Sequence, residues 1–476
     1  MRRKFVGFLA LPLVAGCTVG PEYRKPPVAM SDRWLEPAST APVDLGWWQS
    51  FGDPQLNRLV TLAITSNPDL REARARIAEA RSNREAAAGG ALPQVDAKAS
   101  ATQNRISKNG QLPIASIPGF KRDFSLYDIG FDASWELDLW GRNRREVEAA
   151  SARNQASEWS QRDVLVGLIA EVARNYVELR VAQGVLSATL DQAHSNRDLT
   201  RLSDLRFRSG EDTRIAAEEA RSQAAGSAQA ADLAKAKVST SAYRLAALVG
   251  LPPERLVPEL SDVVGPIPMP PRSIAMGIRS DLLSRRPDVR RAERELAAAT
   301  ADIGVAKADL YPRFSLIGSL GQQARSPGDL LSSGSTRFGI GPSFSWPIFS
   351  AGRIRAQIRG SGARADAAAA RYEKAILSAL SDSESAANRL ARYSAAADEA
   401  RDAEASERAA FGLVQLRFSR GEDDRLTMER ARLKWLEVRS RMDEANGDYA
   451  VAAIALFKAL GGGWEARSSP TDDSGH

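Results

Sequence analysis

The chain has 476 residues, of which 43% are hydrophobic and 26% charged, and its mean hydropathy is -0.32. These values exclude a polytopic helical membrane protein and a wholly disordered chain. Sixty-five Lys and Arg against 59 Asp and Glu give a net charge of +6 and a pI near 9.4, with no long basic tract, so nucleic acid is not an indicated partner. One cysteine rules out an internal disulfide framework, and with only two histidines there is no Cys/His spacing for a metal. His476 ends the sequence and His194 stands in a polar helical stretch, where it reads as a surface residue. No phosphate-loop or nucleophile-elbow motif is present, so the chain reads as a non-enzyme with no cofactor beyond a covalent lipid.

Arg2, Arg3 and Lys4 precede an apolar stretch, Phe5 to Ala15, that is too short to span a bilayer as a mature helix. It ends in Leu13-Val14-Ala15-Gly16-Cys17, with the chain's single cysteine last. Small residues before a cysteine resemble the lipobox of bacterial lipoproteins. The resemblance implies a signal peptide over residues 1–16 and a mature chain whose Cys17 carries diacylglycerol and a fatty acid such as palmitate. Residues 17–53 then form a lipid-anchored, extended arm. Thr18 follows the cysteine in place of an aspartate resembling an inner-membrane retention signal, so the implied address is the outer membrane of a Gram-negative cell.

The rest of the chain is duplicated. Asn67-Pro68-Asp69-Leu70 matches Arg286-Pro287-Asp288-Val289 at an offset of 219 residues, and Leu92-Pro93 matches Tyr311-Pro312 at the same offset. Trp135 matches Trp346 and Gly141-Arg142 matches Gly352-Arg353 at an offset of 211. The halves are residues 54–250 and 272–461. Residues 251–271 hold seven prolines and read as an extended linker, and residues 462–476 read as a disordered tail. Each half begins with a short helix, from Pro68 to about Ala88 and from Pro287 to about Leu310, with proline in the first turn where it is tolerated.

Two strands follow in each half. Tyr127, Ile129, Phe131, Ala133, Trp135 and Leu137 alternate with Asp128, Gly130, Asp132, Ser134, Glu136 and Asp138. The residues from Val95 to Thr102, from Phe314 to Leu320 and from Phe338 to Ile348 also alternate. A period of two with one apolar and one polar face fits a sandwich strand, apolar side inward, or a membrane-barrel strand, apolar side to lipid. The acidic run from Asp128 to Asp138 favours a wet lumen. Four strands cannot close a barrel, so strands that cross a membrane must be pooled from several chains.

From Arg142 to Ser209 no proline interrupts the chain, and 68 residues of helix would measure about 100 Å. Leu165, Ile169, Val172, Tyr176, Leu179, Gln183, Leu186, Leu190 and Ala193 step alternately by four and three. Tyr372, Ile376, Ala379, Ser383, Ala386, Leu390, Tyr393, Ala397 and Ala400 do the same, which is a coiled-coil seam. Phe207-x-x-Gly210-Glu211-Asp212 and its copy, Phe418-x-x-Gly421-Glu422-Asp423, stand where a helix should reverse. Glycine suits the left-handed position past a helix end, and Asp or Thr suits the next N-cap.

This order of lipobox, Trp47-Trp48-x-x-Phe51-x-Asp53-Pro54-x-Leu56, short helix, strands and helical hairpin, then repeat, resembles the TolC-like outer-membrane efflux factors. Within them it is most similar to the lipid-anchored NodT/OprM-type branch. The resemblance covers Cys17 to Gly461. It implies a mainly α fold with a membrane β-barrel. Duplicated helical hairpins form a periplasmic tube, and four strands per chain join a 12-strand barrel shared by a homotrimer in outer-membrane lipid. It also implies a periplasmic adaptor (membrane fusion protein) and an inner-membrane pump of the resistance-nodulation-division type. The adaptor would dock at the tip formed by Phe207, Gly210, Glu211, Asp212, Phe418, Gly421, Glu422 and Asp423. Family members commonly ring the closed aperture with aspartates six or nine residues after the second tip glycine. Here those positions are Thr427 and Arg430, with Glu429 the nearest acid. Arg430 is expected to face solvent with no gating role, to repel its copies around an axis or bind anions there, or to pair with Glu429, Glu422 or Asp423 across helices. A lipid-anchored coiled-coil adaptor and a type I secretion duct are the alternative readings. An adaptor would carry compact β domains rather than lipid-facing hairpins.

Overall fold

A computed structural model describes residues 18–28, 31, 33–36, 39, 41–107, 121–262 and 265–464. Cys17 and the signal sequence lie outside the described residues. In chain order the elements are α1 (Pro54–Ser66), α2 (Pro68–Gly89), β1 (Gln94–Arg105), β2 (Asp123–Leu137), α3 (Arg142–Arg208), α4 (Arg214–Leu248), α5 (Pro253–Asp262) and α6 (Leu282–Arg285). There follow α7 (Pro287–Ala308), β3 (Arg313–Ala324), β4 (Thr336–Ser345), α8 (Arg353–Ser419) and α9 (Arg425–Ala459). No described helix is long and apolar enough to cross a membrane. The chain divides into two compact units. One holds residues 18–26, Ala78–Ala156 and Glu293–Arg371, and the other holds residues 27–77, 157–292 and 372–464.

The first unit carries the sheet. Its four strands pair antiparallel in the order β1-β2-β3-β4. Trp135 lies opposite Leu316, Phe131 opposite Leu320, Leu320 opposite Phe338 and Gly318 opposite Ile340, so the apolar alternation of every strand falls on one face. Gly130 and Gly321 are partners at the centre. A Cβ on Gly130 would lie 2.6 Å from the Leu320 carbonyl oxygen, so the strands approach there only because neither residue has a side chain. Trp135 and Trp346, one from each half, donate their indole N–H to the Ala91 and Leu310 carbonyls and tie the strand ends to the preceding helices.

The second unit carries the main core. Trp47 stacks on Phe457 at 5.1 Å and meets Trp48 and Phe51 edge-on. Leu56, Leu59, Tyr176, Leu179 and Leu245 are fully buried around them. Asp53 caps α1 through the Gln55 and Leu56 amides and accepts a hydrogen bond from the Tyr176 hydroxyl at 2.9 Å, which explains the Trp-Trp-x-x-Phe-x-Asp-Pro spacing.

The proline-rich segment is not extended throughout. Its residues 253–262 form α5, despite the donor missing at Pro258, because Leu256 and Leu260 both enter the core. The stretch read as a disordered tail begins with an ordered strap. Gly462 and Gly463 pass against Trp47, and Trp464 donates to the Arg285 carbonyl and lies edge-on to Trp159. Arg162 sits over both indoles, at 4.2 and 4.7 Å. Residues 465–476 lie outside the described residues.

Candidate functional site

The sheet and the hairpin ends are the two places where side chains are presented for work. On the sheet, the apolar face is not covered by the chain itself: Phe131 is 58% exposed, Phe338 80% and Ile340 75%. A soluble sandwich would hide these residues, so the membrane-strand alternative fits the structure. The opposite face is charged and internally paired. Arg337 of β4 reaches diagonally over the Gly130–Gly321 patch to Asp128 of β2, with contacts of 2.6 and 2.8 Å, and Gln323 donates to the same carboxylate. Lys98 of β1 pairs with Asp132 at 2.9 Å. The outer edges of β1 and β4 have no strand partner among the described residues.

At the hairpin ends the two Phe-x-x-Gly segments close α3 and α8 in the same way. Gly210 and Gly421 have φ of 76° and 73°. Their amides bond the Phe207 and Phe418 carbonyls, while the amides of Glu211 and Glu422 reach back to Arg206 and Arg417. These are the two bonds of a Schellman motif. Nothing lies within 4 Å of a Cβ built on either glycine, so it is the left-handed backbone, not crowding, that calls for glycine. Thr213 then caps α4 and Asp424 caps α9. The bond from Thr427 lowers the Asp424 carboxyl below its ordinary range. Phe207 is 42% exposed, and Phe418 is half-buried. Asp212 lies 3.9 Å from Arg206.

Of the three candidate aperture residues, Glu429 alone is buried. Thr427 and Arg430 are exposed on the first turns of α9. Glu429 is 2% exposed and faces inward, with Arg425 of its own helix 4.0 Å away, so it does not line an opening. The carboxylates expected to pair with Arg430 are engaged elsewhere, Glu422 and Asp423 by Arg417 and Glu429 by Arg425. Arg430 stands near Asp424 without an ion pair among the described residues.

The ties that join the hairpins come from a different set of residues. Arg425 of α9 bonds Asp198 of α3 at 2.8 Å, and Arg432 meets Asp191 at 3.5 Å, one heptad away on both helices. On its other side α3 is held by α4, through Arg221 to Asp204 at 2.9 Å. Helix α9 is held by α8, through Phe411 stacked on Trp435 and Lys434 paired with Glu407. The helices therefore follow the order α4-α3-α9-α8. The sequence signal for it is the 211-residue repeat, which continues beyond the turns through α4 and α9.

An uncovered apolar sheet face, a charged opposite face and paired long hairpins define an outer-membrane channel subunit of the TolC-like type. A family model described as outer membrane efflux protein matches residues 59–251 and 278–462, and the chain belongs to that family. It is 29% identical over 98% of its length to the solvent efflux pump outer membrane protein SrpC of Pseudomonas putida, covering 99% of that protein. It is also 29% identical, over 80% of its length and 81% of the relative, to a protein of Salmonella typhimurium named probable outer membrane lipoprotein SilC. Among solved structures it superposes on the outer-membrane channel OprN with a TM-score of 0.83 and 34% identity, covering 94% of this chain and all of the other. The chain is thus an outer-membrane efflux protein.

Proposed function

We propose that three copies of this chain form a passive duct that carries solutes out through the outer membrane, in line with a periplasmic adaptor and an inner-membrane pump of the resistance-nodulation-division type. The supporting observation is the open four-stranded sheet. Its apolar face is uncovered, its other face is charged, and both edges are without a strand partner among the described residues. Unpaired edges cannot sit in lipid, and closure by three copies gives 12 strands around a polar lumen. The duct makes and breaks no bonds, and its energy comes from the pump. Cys17 carries the lipid anchor, a reading supported by the lipobox and by the likeness to SilC. The tip residues Phe207, Gly210, Glu211 and Asp212, with Phe418, Gly421, Glu422 and Asp423, offer the adaptor an exposed surface at two equivalent turns. Thr427 and Arg430 remain the side chains available to line the aperture.

Purified protein in detergent should weigh as three copies by native mass spectrometry and conduct in planar bilayers. A monomer with no conductance would falsify the duct. Fatty-acid labelling of wild type and Cys17→Ala tests the anchor separately, and equal labelling of both removes it.

A further inference from the structure

A groove of about 660 Å³ runs over α3 between α4 and α9. Its floor is apolar, with Val177 and Val181 of α3 and Val451 of α9. Helix α9 presses on α3 there and seals it, since a Cβ on Gly447 would lie 2.3 Å from a Val181 methyl. The walls are charged and sorted by sign. Lys237 and Arg244 stand on α4, Glu444 and Asp448 on α9, and all four are exposed without an ion pair among the described residues. Glu178, on α3, already holds Arg174 at 3.2 Å.

Elsewhere the same helices neutralise their charges locally. Lys235 pairs with Asp232 and Arg221 with Glu218 on α4, and Arg441 with Glu437 on α9, each three or four residues apart. Charges interleaved in that way make an ordinary solvated helix face. Two cations on one wall and two anions on the other do not satisfy one another along a helix. They present a dipole across an apolar floor, which is the complement of a molecule with an anionic end, a cationic end and an apolar body.

The groove also faces a defined side of the helical layer. The Tyr176 hydroxyl bonds Asp53 at the start of α1, and the Gln183 amide bonds the Leu260 carbonyl of α5. At about 3.6 residues per turn, Glu178 and Val181 fall on the face of α3 opposite Tyr176 and Gln183. Helices α1 and α5 therefore cover one face of the layer, and the groove opens on the other. Two further helices set inside a tube would plug it, so the grooved face is the one a passing solute meets.

We propose that this groove is a solute subsite in the wall of the duct and that it takes amphipathic zwitterions. The anionic end lies on Lys237 and Arg244, the ammonium end on Glu444 and Asp448, and the apolar body over the three valines. Exposed charges add little free energy each, so the site is weak and releases its solute, as a duct requires. The subsite rests on the reading of the protein as a duct and names the class of solute that its wall favours.

The probe is the tripeptide Val-Phe-Val with both termini free, beside its N-acetyl form, which lacks the ammonium, and its C-terminal amide, which lacks the carboxylate. Titrated by calorimetry into the purified protein in detergent, the free peptide should bind saturably and each blocked form about fivefold more weakly. Lys237→Met with Arg244→Met should erase the penalty for the amide and keep that for the N-acetyl form, and Glu444→Gln with Asp448→Asn should do the reverse. This crossed pattern separates the groove from binding elsewhere on the surface. In planar bilayers the free peptide should interrupt the wild-type current, and interrupt it far less in either double variant. If the protein conducts but the three peptides bind alike, or the double variants leave both penalties unchanged, the subsite is wrong and the duct stands. Absence of conductance removes the duct, and with it the part of the groove in transport.

Discussion

Asp53 shows how much one side chain can organise. It caps α1 and accepts the Tyr176 hydroxyl, whose phenol also accepts from the Arg180 guanidinium at 2.8 Å. Burial pushes the Tyr176 phenol well above its ordinary range, so it stays protonated and donates. Asp53→Ala removes a cap, about 1 kcal/mol, and leaves a buried hydroxyl without its acceptor, about 1–3 kcal/mol more. The thermal midpoint of the helical circular-dichroism signal should fall clearly, and Asp53→Asn, which keeps an acceptor oxygen, should recover most of it. Asp163 works in the opposite sense. Burial, then the Asp288 charge, raises its carboxyl above the ordinary 3.8, against Arg291 at 3.5 Å. Between 3.8 and the raised value the folded chain keeps a proton that the unfolded chain has released. Stability therefore falls as pH rises through that window, and the penalty is complete above it. Asp163→Asn should melt higher than wild type at pH 7 and alongside it at pH 3.5, and a gain of equal size at both values would show that burial of the charge is not the cause.

At the scale of elements, what could be read from the sequence was whatever depends on local periodicity. The two strands per half, the proline-led α2 and α7, the long α3 and α8 and the glycine turns all declare themselves within a few residues. The seam of α3 holds from Leu165 to Gln183, but Leu190 is 45% exposed, so its spacing alone did not say which positions the chain covers. What was not legible depends on distant partners. Helix α5 exists because Leu256 and Leu260 find the core, which seven prolines conceal. The Gly461–Trp464 strap is ordered by Trp159 and Arg162, some 300 residues earlier in sequence. Glu429 was read as an aperture residue because of its place after Gly421, whereas its burial follows from α3 packing against that side of α9. The sheet offers a sharp test of an element. A β-branched side chain at Gly130 would sit against the Leu320 backbone, so Gly130→Val should break the β2–β3 ladder. The heat-modifiable band of the outer-membrane fraction should be lost, whereas Gly339→Val, where the nearest atom is the Ser319 hydroxyl at 3.6 Å, should keep it.

At the scale of the whole molecule, the described arm begins against the foot of the sheet. The Val19 amide donates to the Trp140 carbonyl at 3.0 Å, and the Arg145 guanidinium donates back to the Val19 carbonyl at 3.3 Å. Two glycines make the slot. A Cβ on Gly141 would lie 2.6 Å from the Thr18 methyl, and one on Gly304 would lie 2.9 Å from the Val19 oxygen. Farther along, Tyr23 donates to Glu293 and lies under Arg294. Trp140 itself stacks on Tyr311 at 4.8 Å, and an aromatic pair at the end of membrane strands is placed for the bilayer interface. Gly304→Leu should fill the slot and release the arm while leaving the lipobox untouched. Fatty-acid labelling should then stay at the wild-type level, while trypsin should cut the Arg24–Lys25 bond much faster than in wild type. Equal cleavage of the two proteins would show that the slot does not hold the arm.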